Sequence, residues 1–157
     1  MDRITEAISA ISIAREYQEK ALAIRIEIGS RNGEASSYGN LGTLSHSLDR
    51  CDKAREYQEK ALAIAIETGD RNREATSYGN LGTVFQSLCQ YDKAREYQEK
   101  ALAIKIEIGD RDGEATSYGN LENFLQLLGQ YEKAREYQEN ALAIRIEIGE
   151  RDGEATS

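Results

Sequence analysis

The chain has 157 residues, 39% of them hydrophobic and 31% charged, with no proline, no tryptophan and a formal net charge of −8. That acidity repels phosphate backbones and anionic lipid headgroups, which argues against nucleic acid and membrane surfaces as partners, and no apolar run reaches the roughly 20 residues of a membrane span. Ala, Glu, Arg, Leu and Ile recur throughout, so an all-α chain with more surface than core is expected.

The N-terminal stretch carries Asp2, Arg3 and Glu6 instead of a secretory apolar run, which points to a cytoplasmic protein. Cys51 and Cys89 are too few for a disulfide scaffold and occupy non-equivalent places, so both are expected as reduced thiols. The first predicted element is one long helix from Ile4 to Ile28, because no Gly or Asp interrupts AISAISIA. It forms a partial unit, residues 1–28. Seven helices in A/B alternation are expected after it.

From there the sequence repeats with a period of forty. KAREYQEKALAI at Lys53 returns at Lys93 and, as KAREYQENALAI, at Lys133, and residues 52–91 differ from 92–131 at only ten places. The units are 30–68, 70–108 and 110–148, with the truncated start of a further one at 150–157. Within a unit, Ala75, Tyr78, Leu81, Phe85 and Leu88 recur at helical steps and define helix A. A turn of a few residues follows, near Asp49-Arg50, Cys89-Gln90 and Gly129-Gln130, so the next helix lies antiparallel. Ala94, Tyr97, Ala101, Ile104 and Ile108 define helix B, with Leu102 and Ile106 widening its apolar arc. Gly29, Gly69, Gly109 and Gly149 stand where helix B should end in a left-handed residue, and Asp70 and Asp110 then cap the next helix A. Glu56 with Lys60 and Glu96 with Lys100 are four apart on a solvated face.

SYGNLG, followed sixteen residues after its Tyr by AREYQEKAL, resembles a tetratricopeptide repeat. The resemblance implies a right-handed superhelical solenoid of antiparallel helix pairs, with Gly42, Gly82, Ala54 and Ala94 letting helices A and B approach closely. The family's usual unit is shorter and ends in proline. The longer unit here, extended by IKIEIGDR, is similar to the Pins-type spindle-orientation adaptors and, more loosely, to kinesin light chains. Those relatives hold extended partner peptides on a concave face lined by helix A, so the resemblance implies a protein-interaction scaffold or adaptor.

With Tyr78 and Leu81 turned toward helix B, the opposite face of helix A presents Thr76, Gly79, Asn80, Thr83 and Gln86, which is polar and neutral. Candidate groove residues are Asn40, Asn80 and Asn120, with Thr43, Thr83, Asn123, Thr76, Thr116, Gln86 and Gln126 beside them. The three asparagine amides, expected open to solvent, suit an extended peptide backbone because each both donates and accepts; amides bonded within the protein are the other reading. Gly39, Gly79 and Gly119 sit mid-helix, explained either by close approach of a ligand or by packing between neighbouring A helices. Chaperone-binding family members clamp a carboxylate with Lys and Arg on helix A. The matching places here hold Thr76, Gly79 and Asn80, so no such clamp is expected.

The last helix A departs from its siblings. Glu122 stands where Gly42 and Gly82 stand, and Leu125 and Leu127 make it greasier, so it either shifts outward or meets a partner. His46 aligns with Gln86 and Gln126, and no second ligand stands at metal spacing. The carboxylates repeat with the period instead of converging, so neither catalysis nor a cofactor is expected. The alternative function is a self-associating array: the chain ends after GEATS, so Leu142, Ile144 and Ile148 are expected to be partly exposed and to support a weak homodimer through the C-terminal end.

Overall fold

A computed structural model describes residues 2–155, with side chains from Asp2 to Arg151. The protein is all-helical, with α1 Arg3–Glu27, α2 Arg31–Ser47, α3 Cys51–Thr68, α4 Arg71–Ser87, α5 Tyr91–Glu107, α6 Arg111–Leu127 and α7 Tyr131–Ala155. Helix A of the successive units is α2, α4 and α6, and helix B is α3, α5 and α7. Each helix packs on its neighbours in sequence, and α2 also touches α4, which makes a solenoid of antiparallel pairs. α1 is one uninterrupted helix, as AISAISIA predicts. It is one of the seven, so six described helices follow it, not seven.

Local chemistry sets the boundaries. Gly29, Gly69 and Gly109 take φ of 71°, 69° and 72° at the ends of helix B, and the Asp70 and Asp110 carboxylates accept from the backbone N–H groups of Arg73 and Gly113. The turns from A to B also need a left-handed residue. Asp49, Cys89 and Gly129 fill it with φ of 55°, 57° and 70°, and only the last is free of a Cβ penalty. Replacing Cys89 by glycine is expected to raise the unfolding free energy by about 1 kcal/mol, read from thermal or denaturant unfolding of the two proteins. Destabilisation by Cys89→Gly would mean that the thiol packs usefully.

Gly149 does not end a helix. α7 runs through it to Ala155, because Glu150 replaces the capping Asp70 and Asp110 and continued helix is the default where no cap or packed neighbour rewards a turn. Of the further unit expected at 150–157, residues 150–155 therefore extend α7, and Thr156 and Ser157 lie outside the described residues.

Packing within a unit is carried by Leu41, Leu81 and Leu121, each at 0% exposure, and by paired tyrosines from the two helices. The ring centroids of Tyr38 and Tyr57, Tyr78 and Tyr97, and Tyr118 and Tyr137 lie 6.1, 5.8 and 5.5 Å apart. Lys60 and Lys100 each bond a glutamate four residues back and lie over these rings. A second repeating device ties the start of helix A to the end of helix B: Arg31 bonds Glu34 and Glu67, Arg71 bonds Glu74 and Glu107, and Arg111 bonds Glu114 and Glu147. Glu67, Glu107 and Glu147 reach solvent, so the pairs across the two helices contribute register more than stability, whereas Glu74 and Glu114 are buried beside their arginines.

The C-terminal face differs from the sequence expectation. Ile144 is buried at 5% exposure, because it shares the register of Ile64 and Ile104, which face their own helix A. Leu142 occupies the register of Leu102, the side a following helix A would cover, and is 57% exposed; Ile148 is half-buried.

Candidate functional site

The wall that holds the predicted residues is built from α2, α4 and α6, with residues of α3 and α5 beneath its hollows. Ala35, Asn40, Thr43, Gln58, Thr76 and Asn80 surround one concavity between α2 and α4. The next, between α4 and α6, is lined by Thr76, Asn80, Thr83, Gln98, Thr116 and Asn120. A third joins Gln86, Asn120 and Asn123 over Gln98. The structure thus brings the predicted asparagines and threonines onto one surface about one repeat apart. Gln126 does not line these concavities; it is exposed and donates to Glu122 within its own helix at 3.0 Å.

The amides are less free than expected. Asn40 is exposed and donates to Gln18 Oε1 at 3.3 Å, whereas Asn80 is half-buried and donates to Gln58 Oε1 at 3.4 Å. Only Asn120, exposed, has no such bond. Thr43, Thr83, Thr76 and Thr116 are exposed, and each hydroxyl donates to the carbonyl four residues back. They present methyl groups and an oxygen lone pair to the groove.

Two buried glutamines escaped sequence reasoning because glutamine counts as a surface residue. Gln58 and Gln98 are 1% and 6% exposed, and their Nε2 groups donate to the carbonyls of Gly39 and Gly79 at 3.0 Å. They occupy the space that Gly42 and Gly82 leave: a Cβ on Gly82 would sit 2.7 Å from Gln98 Nε2. The usable signal was the pairing of Gly42 with Gln58 and Gly82 with Gln98, sixteen residues on. Glu122 breaks it, and Gln138 is accordingly exposed.

Gly39 and Gly79 are a different case. A Cβ there meets nothing within 4 Å, and one on Gly119 meets only an Arg145 nitrogen at 3.7 Å, so packing between neighbouring A helices does not require them.

The groove is not without charge, contrary to what the helix A sequence suggests: two of its basic side chains are paired with carboxylates. Each junction holds one long basic side chain in a shared space. Arg25 lies over Gly33 and Lys105 over Gly113, whereas Arg73 replaces the glycine where position 65 is alanine. Arg73 lines one concavity and Lys105 the next, but Arg73 is 3.3 Å from Asp70 and Lys105 2.6 Å from Asp110. The Lys105 ammonium, then the Gly113 N–H, hold the Asp110 carboxyl below its ordinary range. The stabilisation is therefore present at neutral pH and is lost as acid protonates that carboxyl. Arg25 donates to the Gly33 carbonyl and the Ser37 hydroxyl.

His46 Nε2 lies 2.9 Å from the Ser87 hydroxyl across the α2/α4 step, and Cys51 and Cys89 are free thiols, half-buried and exposed. Among the described residues no group of His, Cys, Asp and Glu is placed to hold a metal, and no helix is long and apolar enough to cross a membrane.

The family described as tetratricopeptide repeat matches residues 13–67, 34–107 and 73–147. No curated protein matches the chain. Among solved structures, it is similar to BtubC (BKLC) from P. vanneervenii, at 26% identity and a TM-score of 0.82 over 90% of this chain and 59% of that one. It is similar to the tetratricopeptide domain of Arabidopsis FLU at 25% identity and a TM-score of 0.69, over 75% and 98% of the two chains. A putative kinesin light chain of Podosopora anserina with nearly identical repeats shares the fold at 22% identity and a TM-score of 0.70, over 93% and 72%. The chain therefore spans 59% of the length of the first of these.

Proposed function

This chain belongs to the tetratricopeptide repeat family, and on that footing we propose that it is an adaptor whose concave groove binds an extended segment of a partner protein. The family fold is generally a non-enzymatic interaction scaffold. The observation that carries the groove reading is the glycine row of α2 and α4. Mid-helix glycine costs about 1 kcal/mol relative to alanine, yet at Gly39 and Gly79 there is room for a methyl group. Bare backbone along the wall lets a second chain come close. Beside it, Asn40 and Asn80 make long bonds of 3.3 and 3.4 Å, which a partner backbone can exchange for its own at little cost. The thiols of Cys51 and Cys89 suit a reducing cytoplasm, which we take as the setting.

Gly79→Ala separates this reading from a structural one. Stability should rise by about 0.5–1 kcal/mol, while peptides selected from a random displayed library on the unmodified chain should bind the variant about tenfold more weakly. Unchanged affinity in a stabilised variant counts against the groove.

A second reading, self-association through the C-terminal end, draws on Leu142 at 57% exposure. With Ile144 buried and Ile148 half-buried, the patch reduces to Leu142 and, four residues on, Ile146 at 52% exposure; covering one such side chain completely is worth about 1.5–3 kcal/mol, which supports weak pairing at most.

A further inference from the structure

The step between α4 and α6 departs from that between α2 and α4 in one consistent direction. Thr83, whose hydroxyl is tied to the Gly79 carbonyl, has as its counterpart Asn123, exposed and lining the concavity over Gln98. Ser87, which meets His46 across the α2/α4 step, has as its counterpart Leu127, 67% exposed. Positions 120, 123 and 127 fall on one face of a helix, so Leu127 continues the line of Asn120 and Asn123. The third departure lies in the floor. Gln58 Oε1 accepts from Asn80, but Gln98 Oε1, in a side chain only 6% exposed, has no hydrogen-bond partner. Gln98 lines the same two concavities as Asn120.

We propose that the α4/α6 step is where the groove reads its partner, seating one large apolar side chain of an extended segment against Leu127 while Asn120, Asn123 and Gln98 take its backbone. This rests on the groove reading above and adds a selectivity to it. A leucine on a polar wall gains only when another apolar group covers it, whereas the amides beside it and the unpaired Gln98 oxygen offer the donors and acceptor that an extended backbone needs. Lys105 is paired with Asp110 at this step, so Leu127 and not the lysine sets the chemistry of the side chain it takes.

Short random peptides displayed on a carrier and selected on the full 157-residue chain test the idea. Enriched sequences should share one position filled by a large aliphatic or aromatic residue. Leu127→Ser, which installs the residue of the sibling helix at an exposed site, should erase that preference and weaken the enriched peptides about tenfold. Adding Ser87→Leu to that variant should restore an apolar preference displaced by about three residues, the extended length of one repeat of roughly 10 Å. Enriched peptides without an apolar position, or a preference that survives Leu127→Ser, would overturn the proposal and leave the groove intact. If nothing is enriched, or if enriched peptides ignore both Gly79→Ala and Asn80→Ala, the groove reading itself fails and this inference falls with it.

Discussion

Truncating Leu81 to alanine is expected to lower the unfolding free energy by about 3–5 kcal/mol, the upper part of the range for a leucine whose surroundings cannot collapse. Leu81 has 0% exposure and stands in one cluster with Phe85, Ala94 and Phe124, with Leu62, Leu88, Tyr97 and Leu128 packed against it. These residues come from α3, α4, α5 and α6, so a void there weakens two successive units at once. A repeat array owes its stability to each unit and its neighbour interfaces, and small domains hold only about 5–15 kcal/mol in total. Denaturant unfolding followed by helicity should show an early transition as the middle of the array loosens. A loss under about 1 kcal/mol would be incompatible with a fully buried Leu81.

The second large effect is a sign reversal within a single helical turn. Gly82→Ala should destabilise by about 1–3 kcal/mol, because the new methyl group overlaps Gln98, whose Nε2 and Cγ would lie 2.7 and 2.8 Å away. Helix propensity alone says the opposite, a gain of about 1 kcal/mol at either glycine. Gly79, three residues earlier, is free to take that gain. The pair of substitutions therefore separates backbone propensity from packing with the same chemical change. Combining Gly82→Ala with Gln98→Ala should recover part of the loss, since it removes the overlap. A stabilised Gly82→Ala variant would mean that Gln98 is not held where its bond to the Gly79 carbonyl places it.

Most of the fold was legible because each unit repeats its own punctuation. Gly29, Gly69 and Gly109 mark helix ends three times and Asp70 and Asp110 mark the next cap twice, and the long first helix follows from the lack of either residue in AISAISIA. The same regularity misled at Gly149, where one changed neighbour, Glu150 for Asp, removes the cap and the helix runs on. Ile144 and Leu142 were grouped by hydrophobicity alone, whereas helix positions i and i+2 lie about 200° apart and face different neighbours.

The site was legible as a surface but not as a mechanism. Alternation of polar and apolar positions places Asn40, Asn80 and Asn120 on the outer face of helix A. It does not reveal that Gln18 and Gln58 reach up to the first two, nor that Gln58 and Gln98 are buried and fix the spacing of the helices. The exchange of a long basic side chain between Arg73 and its counterparts Arg25 and Lys105 was visible only across units, as an alanine on one helix matched to an arginine on the next.

The central claim is that partners bind along the concave wall in extended form. An amide-resolved NMR titration of the chain with a library-selected peptide tests it most directly. The account predicts shifts in the side-chain amides of Asn80, Asn120 and Asn123 and in the backbone of Gly79 and Gly119, with Ile66 and Ile106 on the exposed side of helix B unmoved. Shifts confined to α1 or to the exposed side of α3 and α5, with the asparagine amides silent, would contradict it.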